Sequence, residues 1–238
     1  MSDTIFNYAE LPYASGGSGS DQNRFNWRSE MLLARNREII NGKVVVDLAC
    51  NTGRLSYPCL ALGAQKVIGI EARNELIVEG KSALTKSIYE DRMTWINSDV
   101  FDFLAASSPG DFDVILCFGF LYHTTRQVDF FRLARRLKPQ HIIIDTSVAK
   151  NYSWYGARNF LKKPPALFMI RENPHLTSDT TDLDGVAFWP SVSFIEDMSR
   201  VSGYSAQRIL YTKHVKNWSG LSDYRKGIRA SWVLSRND

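Results

Sequence analysis

The run Val44-Val45-Val46-Asp47-Leu48-Ala49-Cys50-Asn51-Thr52-Gly53-Arg54 constrains the fold of this chain more than any other stretch. Three β-branched residues favour an extended, buried strand. An acid, a tight turn of small residues and the start of a helix follow. This strand–loop–helix order is how α/β proteins cradle a nucleotide-like ligand at the carboxyl edge of a parallel sheet. A dinucleotide fingerprint calls for three glycines, so that a pyrophosphate can rest on the helix N-terminus. Only Gly53 is glycine here, with Ala49 and Asn51 at the other two small positions, and the lysine of a phosphate-binding loop is missing. Asp47 would repel a pyrophosphate and suits a cationic ligand.

Three further features stand in register with this loop. Lys66-Val67-Ile68-Gly69-Ile70-Glu71 reads as a second strand finishing in an acid, at the distance where α/β folds hydrogen-bond a ribose diol. A third short strand, Met93 to Ile96, leads to Asn97-Ser98-Asp99-Val100. Phe112 to Phe118 reads as a fourth strand that runs into the turn Gly119-Phe120-Leu121-Tyr122-His123.

In the order and spacing of these features, residues 40–148 resemble the class I S-adenosylmethionine-dependent methyltransferases, whose first motif is D/E-x-G-x-G-x-G. Two of its glycines are replaced in this chain. The resemblance implies an α/β fold: a seven-stranded, mostly parallel sheet of order 3-2-1-4-5-7-6 with helices on both faces. It implies S-adenosyl-L-methionine as methyl donor and S-adenosyl-L-homocysteine as product. The donor would be held by Asp47, Ala49, Cys50, Asn51 and Gly53 of the loop, and by Glu71 with Ala72 beside it. Asp99 would receive the adenine amino group, and the Val100 backbone would contact the ring. Phe118 or Gly119 would supply backbone contacts beneath the methionine portion. Trp27 and Arg28, on the helix before the first strand, would flank the methionine end, although Trp27 reads equally well as a core residue.

At 238 residues, the chain suffices for a single α/β domain over 1–238. No apolar run approaches the roughly 18–20 residues of a membrane span, and the N-terminus lacks the basic-then-apolar order of a signal peptide. A cytoplasmic protein with no membrane partner is expected. Cys50, Cys59 and Cys117 have no C-x-x-C spacing, so neither zinc nor a disulfide is suggested. The formal net charge is +4, short of a nucleic-acid-binding stripe. Arg132, Arg135, Arg136 and Lys138 cluster near one helix end, either as a solvated helix C-terminus or as an RNA-binding face.

Residues 1–23 are Gly/Ser-rich and read as a flexible segment. The apolar spacing predicts an amphipathic helix over 26–40, then alternating strands and helices as far as the fifth strand, His141 to Thr146. Residues 150–190, rich in aromatics and prolines without a clear period, read as a substrate cap inserted after that strand. A helix over 191–201 and two strands, 207–214 and 228–234, close the fold. Their link, 216–227, is expected to overhang the site.

Methyl transfer to an alcohol or amine requires a donor, an aligned acceptor and a proton acceptor. His123, just past the fourth strand, has an unperturbed pKa of about 6.5 that suits a base near neutrality; it reads either as that base or as a residue orienting the turn. Tyr122 is a second candidate through its hydroxyl. Asp145, ending the fifth strand, could serve as base, metal ligand or helix cap. A magnesium ion held by Asp145 with Asp182 or Asp184 is conceivable but not indicated. His175 and His214 fall near the expected mouth, and His141 at the opposite edge.

The Leu-Tyr-His turn with Leu137-Lys138-Pro139 and Ile143-Ile144-Asp145-Thr146 is similar to a narrower branch, the tRNA uridine-5-oxyacetate carboxymethyltransferases and related small-molecule methyltransferases. Those tRNA enzymes carry a substantial N-terminal extension and a basic face, and need cations at the carboxylate, for which Arg28 or Arg225 are candidates. Only about 40 residues precede the first strand here. The reading therefore favours a small-molecule acceptor, a sugar or natural-product hydroxyl, over nucleic acid, with tRNA modification as the alternative. A homodimer is left open.

Overall fold

A computed structural model describes residues 22–149, 164–173, 185–211, 215 and 217–237. The central sheet has seven strands: β1 (Val44–Leu48), β2 (Lys66–Glu71), β3 (Met93–Asn97), β4 (Val114–Phe118), β5 (His141–Ser147), β8 (Tyr204–Arg208) and β9 (Arg229–Arg236). Their order is β3-β2-β1-β4-β5-β9-β8. With the two strands of a separate hairpin set aside, β6 (Leu167–Arg171) and β7 (Val186–Pro190), this is the order 3-2-1-4-5-7-6. The pairs from β3 to β5 are parallel, whereas β9 is antiparallel to both β5 and β8.

Strand periodicity explains why the sheet is buried on both faces. Val46, Leu48, Ile70, Ile115, Cys117, Ile142 and Ile144 enter one core cluster, while the alternating Val45, Val67, Val114, Leu116 and Ile143 enter another. Helices α4 (Val100–Ala106), α5 (Gln127–Leu137) and α6 (Val192–Val201) cover the first face. The N-terminal helical segment and helices α2 (Ser56–Ala61) and α3 (Asn74–Leu84) cover the second. Parallel pairing sends the C-terminal ends of β1, β2 and β4 to one edge, where Asp47, Glu71 and Phe118 gather.

Several elements depart from the sequence expectation. The segment 26–40 is not one α-helix. Helix α1 (Gln22–Arg28) passes into a π-helical turn, Ser29–Leu33, and then a 3-10 segment, Ala34–Ile39. Met31, Leu32 and Leu33 are all buried, Met31 in an aromatic cluster and the two leucines in the sheet core. A regular 3.6-residue turn does not direct three consecutive residues inward, and the wider turn does. The Asn36 amide then donates to the Leu32 carbonyl at 2.9 Å and ends that turn. Of the strand expected over 207–214, residues 207–208 belong to β8, which starts earlier at Tyr204, and 212–214 lie outside the described residues. The 150–190 insertion carries regular structure in its described part, the antiparallel β6–β7 hairpin. The link before β9 holds a short helix, α7 (Ser222–Arg225). No helix among the described residues is long and apolar enough to cross a membrane.

Candidate active site

The loop after β1 solves a backbone problem that the sequence leaves visible. Ala49, Asn51 and Gly53 all have positive φ, at 52°, 56° and 76°. These are the three positions where the resembled motif has glycine. Asn adopts this left-handed region readily because its short amide bonds locally, and here the Asn51 side-chain Oδ1 accepts from the Thr52 N–H at 2.8 Å. The methyl side chain of Ala49 can make no such bond, and the residue carries roughly 1–2 kcal/mol of strain. Gly53 must be glycine for a second reason: a Cβ there would lie 2.6 Å from the Trp95 ring. The loop is thus left-handed at all three positions, although only one of them is glycine.

Asp47 is buried, and the Ser56 hydroxyl donates to it at 2.6 Å. Burial pushes its carboxyl up to about 7, against the opposing effects of the Ser56 hydrogen bond and the Arg28 charge, and Glu71 adds to the rise. Glu71, also buried, ties the loop to β2. One of its oxygens accepts the Asn51 N–H at 2.9 Å, and the other accepts the Arg73 N–H and Nε at 3.1 and 2.9 Å. The Ala72 carbonyl is taken by the Asn97 amide at 2.8 Å. Asp99 caps α4 through one oxygen, which accepts the Phe101 and Asp102 N–H groups at 2.8 and 3.1 Å, and Val100 is buried behind it. The Cys50 thiol is buried, and burial pushes it well above its usual value.

The other half of the site is built around Asp145, which has no exposure. Its carboxylate accepts from Arg28 at 2.7 Å, from Arg229 Nε and Nη2 at 3.1 and 3.0 Å, from the Tyr224 hydroxyl at 3.0 Å and from the Ser231 hydroxyl at 2.7 Å. Burial alone would raise this carboxyl. The Arg229 and Arg28 guanidiniums, with the hydrogen bonds, outweigh burial and hold it well below the usual carboxylate range. From the sequence the roles of base, metal ligand and helix cap were open to Asp145, and these surroundings suit a buried counter-ion. A carboxylate saturated by these donors and held ionised has little affinity for another proton, so Asp145 orders the arginines instead. Asp182, Asp184, His175 and His214 lie outside the described residues.

Arg229 continues the chain of contacts toward β4. Its guanidinium stands over the Tyr122 ring at 5.3 Å and its Nη1 lies 3.5 Å from the Tyr122 hydroxyl. The Tyr122 and His123 ring centroids are 3.9 Å apart, and His123 Nδ1 lies 2.6 Å from Glu172 Oε1. Phe118 faces Arg28 at 5.9 Å, and the Gly119 N–H donates to the Asp145 carbonyl at 2.8 Å, which joins the ends of β4 and β5. Trp27, partly buried, packs with its ring 4.9 Å from Tyr211 and 4.5 Å from Tyr224.

The sequence reading missed Arg229, Tyr224, Ser231 and Glu172. For Arg229 a signal existed: a charged residue opening the buried half of a strand that pairs with β5. Antiparallel register sets Ser231 opposite Asp145. No spacing rule links Glu172 to His123, 49 residues away.

Residues 45–140 match the family described as the methyltransferase domain. The ubiquinone biosynthesis O-methyltransferase of Schizosaccharomyces pombe is 28% identical over 129 residues, 53% of this chain and 45% of that protein. The tRNA U34 carboxymethyltransferase of Helicobacter pylori is 25% identical over 119 residues, 49% of this chain and 45% of that protein. The matched span covers less than half of this chain. The aligned stretch spans less than half the length of each of these curated relatives. In fold, the chain is similar to the N-terminal domain of EvdMO1, solved in the presence of S-adenosylhomocysteine and D-fucose, with a TM-score of 0.64 at 14% identity over 88% of this chain and 82% of that one.

The residues at this edge fit S-adenosylmethionine, the donor that the sequence resemblance implies. The Arg28 Nε and Thr52 hydroxyl are buried with no hydrogen-bond partner among the described residues, so polar capacity remains beside the loop. Glu71, and Asp47 in its ionised form, would supply negative charge toward the ribose diol and the sulfonium of such a donor. When bound, the donor supplies an electrophilic methyl group on sulfur. The loop 47–53, Glu71 and Asp99 would hold it, and Arg28 would face its methionine end.

Proposed function

We propose that this chain methylates a hydroxyl oxygen of a small molecule, a sugar or natural product, with His123 as the proton acceptor. The observation that carries the reading is the division of labour at the carboxyl edge. Asp145 is committed to Arg28 and Arg229, whereas the His123 imidazole sits on the turn after β4 beside Tyr122. An alcohol is a weak nucleophile until its proton is removed, and an imidazole is the side chain matched to that task near neutrality. Tyr122, under the Arg229 charge, orients the acceptor. Trp189, whose ring meets Tyr122 edge-on at 6.4 Å, has a buried indole N–H with no hydrogen-bond partner among the described residues, available to an acceptor oxygen. The EvdMO1 domain was solved in the presence of D-fucose, which makes a monosaccharide the first acceptor to try.

The test is transfer of tritiated methyl from S-adenosylmethionine to a panel of monosaccharides, phenols and hydroxylated polyketides, with total tRNA as a parallel acceptor. Label in the small-molecule fraction, reduced at least tenfold by His123→Gln, is expected. Label confined to tRNA would overturn the reading in favour of RNA modification.

A further inference from the structure

We propose that Glu172, carried by the β6–β7 hairpin, is a positioning residue that selects the tautomer of His123, a deepening that rests on His123 being the base. Glu172 immediately follows β6, and its own N–H donates to the Gly185 carbonyl at 2.8 Å, which closes the hairpin across from it. Its carboxylate reaches His123 Nδ1 at 2.6 Å, and both side chains are mostly buried, at 13% exposure for His123 and 15% for Glu172. A carboxylate only accepts hydrogen bonds, so Nδ1 must carry the proton. In the neutral ring, Nε2 is then the basic nitrogen.

The hairpin that delivers Glu172 is fastened to the turn that carries His123. The Phe188 N–H of β7 donates to the Thr124 carbonyl at 3.1 Å. The buried Gln127 amide lies 2.8, 2.6 and 2.8 Å from the Leu121, Thr124 and Phe188 carbonyls, bracketing the turn and gripping β7. The base is thus assembled from two separate parts of the chain, the β4 turn and the insertion after β5. Free imidazole in water favours a proton on Nε2, the wrong nitrogen for a base that presents Nε2. Glu172 reverses that preference and later stabilises the imidazolium when the proton arrives.

The experiment uses the full chain labelled with ¹⁵N-histidine and saturated with S-adenosylhomocysteine. Spectra are recorded above the titration of the imidazoles, with His123 assigned through His123→Gln. A protonated Nδ1 and an unprotonated Nε2 are expected for His123. Glu172→Ala should exchange the two nitrogen shifts, and Glu172→Gln, whose side-chain oxygen still accepts, should keep the parent pattern. A retained thermal shift with S-adenosylhomocysteine shows that each variant folds. An Nε2-protonated His123 in the parent, or a pattern unmoved by Glu172→Ala, overturns the proposal. In the tritium assay, Glu172→Ala should lower kcat at least tenfold with KM unchanged, and the Glu172→Ala/His123→Gln pair should be no slower than His123→Gln alone. Additive losses would mean that Glu172 does not act through His123. Full transfer by His123→Gln would instead overturn the base assignment, a result separate from the tautomer.

Discussion

Asp47 and Asp145 show how neighbouring carboxylates acquire opposite characters from their surroundings. Both are buried, and Asp145 has two guanidiniums paired against it. Asp145→Asn leaves those cations buried without their counter-charge and should destabilise the fold by about 3–5 kcal/mol, read as a lower urea midpoint. Asp47 has the reverse linkage. Its carboxyl titrates at about 7 in the folded chain against 3.8 for a solvated aspartate. Between those values the folded protein holds a proton that the unfolded chain has lost, so stability declines as pH rises through this window. Asp47→Asn should flatten that decline in urea titrations run at successive pH values. Donor affinity should change the other way: a cationic methionine end favours ionised Asp47, so binding followed by calorimetry should tighten as pH rises through about 7. At Ala49, glycine relieves the left-handed strain, and Ala49→Gly should stabilise by about 0.5–1 kcal/mol after its larger unfolded-state entropy is counted.

At the level of elements, α5 does more than cover the sheet. Gln127 in its first turn ties the His123 turn to β7. Gln127→Ala should cost about 1–3 kcal/mol through the carbonyls it leaves unsatisfied. It should also free the hairpin locally, seen as faster amide exchange at Phe188 than at core strands. At the other end of α5, Arg136 donates to the Ser107 and Ala105 carbonyls at 2.8 and 3.1 Å and also to that of Leu104. It thereby caps the C-terminus of α4. The basic cluster noticed in the sequence thus includes a residue with a structural task. The sheet elements of the first half were legible because uninterrupted β-branched runs bounded by turns admit few other readings. The π-helical turn and the β6–β7 hairpin were not, since both are stabilised by contacts with residues distant in sequence.

At the scale of the whole molecule, the antiparallel β9 is what completes the site. It brings Arg229 and Ser231, more than 80 residues from Asp145 in sequence, onto the fifth strand. A ligand that binds only the folded chain stabilises it, so S-adenosylhomocysteine at 100 times its Kd should raise the unfolding free energy by about 2.7 kcal/mol. A thermal shift with S-adenosylhomocysteine, and none with NAD, is the expected readout.

The sequence alone determined the half of the candidate site built on the loop after β1. The loop at 47–53, Glu71 and Asp99 are each adjacent to a strand end, and parallel pairing must bring such ends together whatever else the chain does. Even the replaced glycines could be read there, because an αL turn is a local property of a few residues. The tertiary structure alone decided the chemistry of the other half. Whether Asp145 is a base or a buried counter-ion depends on Arg28, Arg229 and Tyr224, which arrive from both ends of the chain. Whether His123 offers the correct nitrogen depends on a carboxylate from a separate hairpin. Protonation states are set by what lies within a few ångströms in space, and sequence spacing carries no record of neighbours so far apart along the chain.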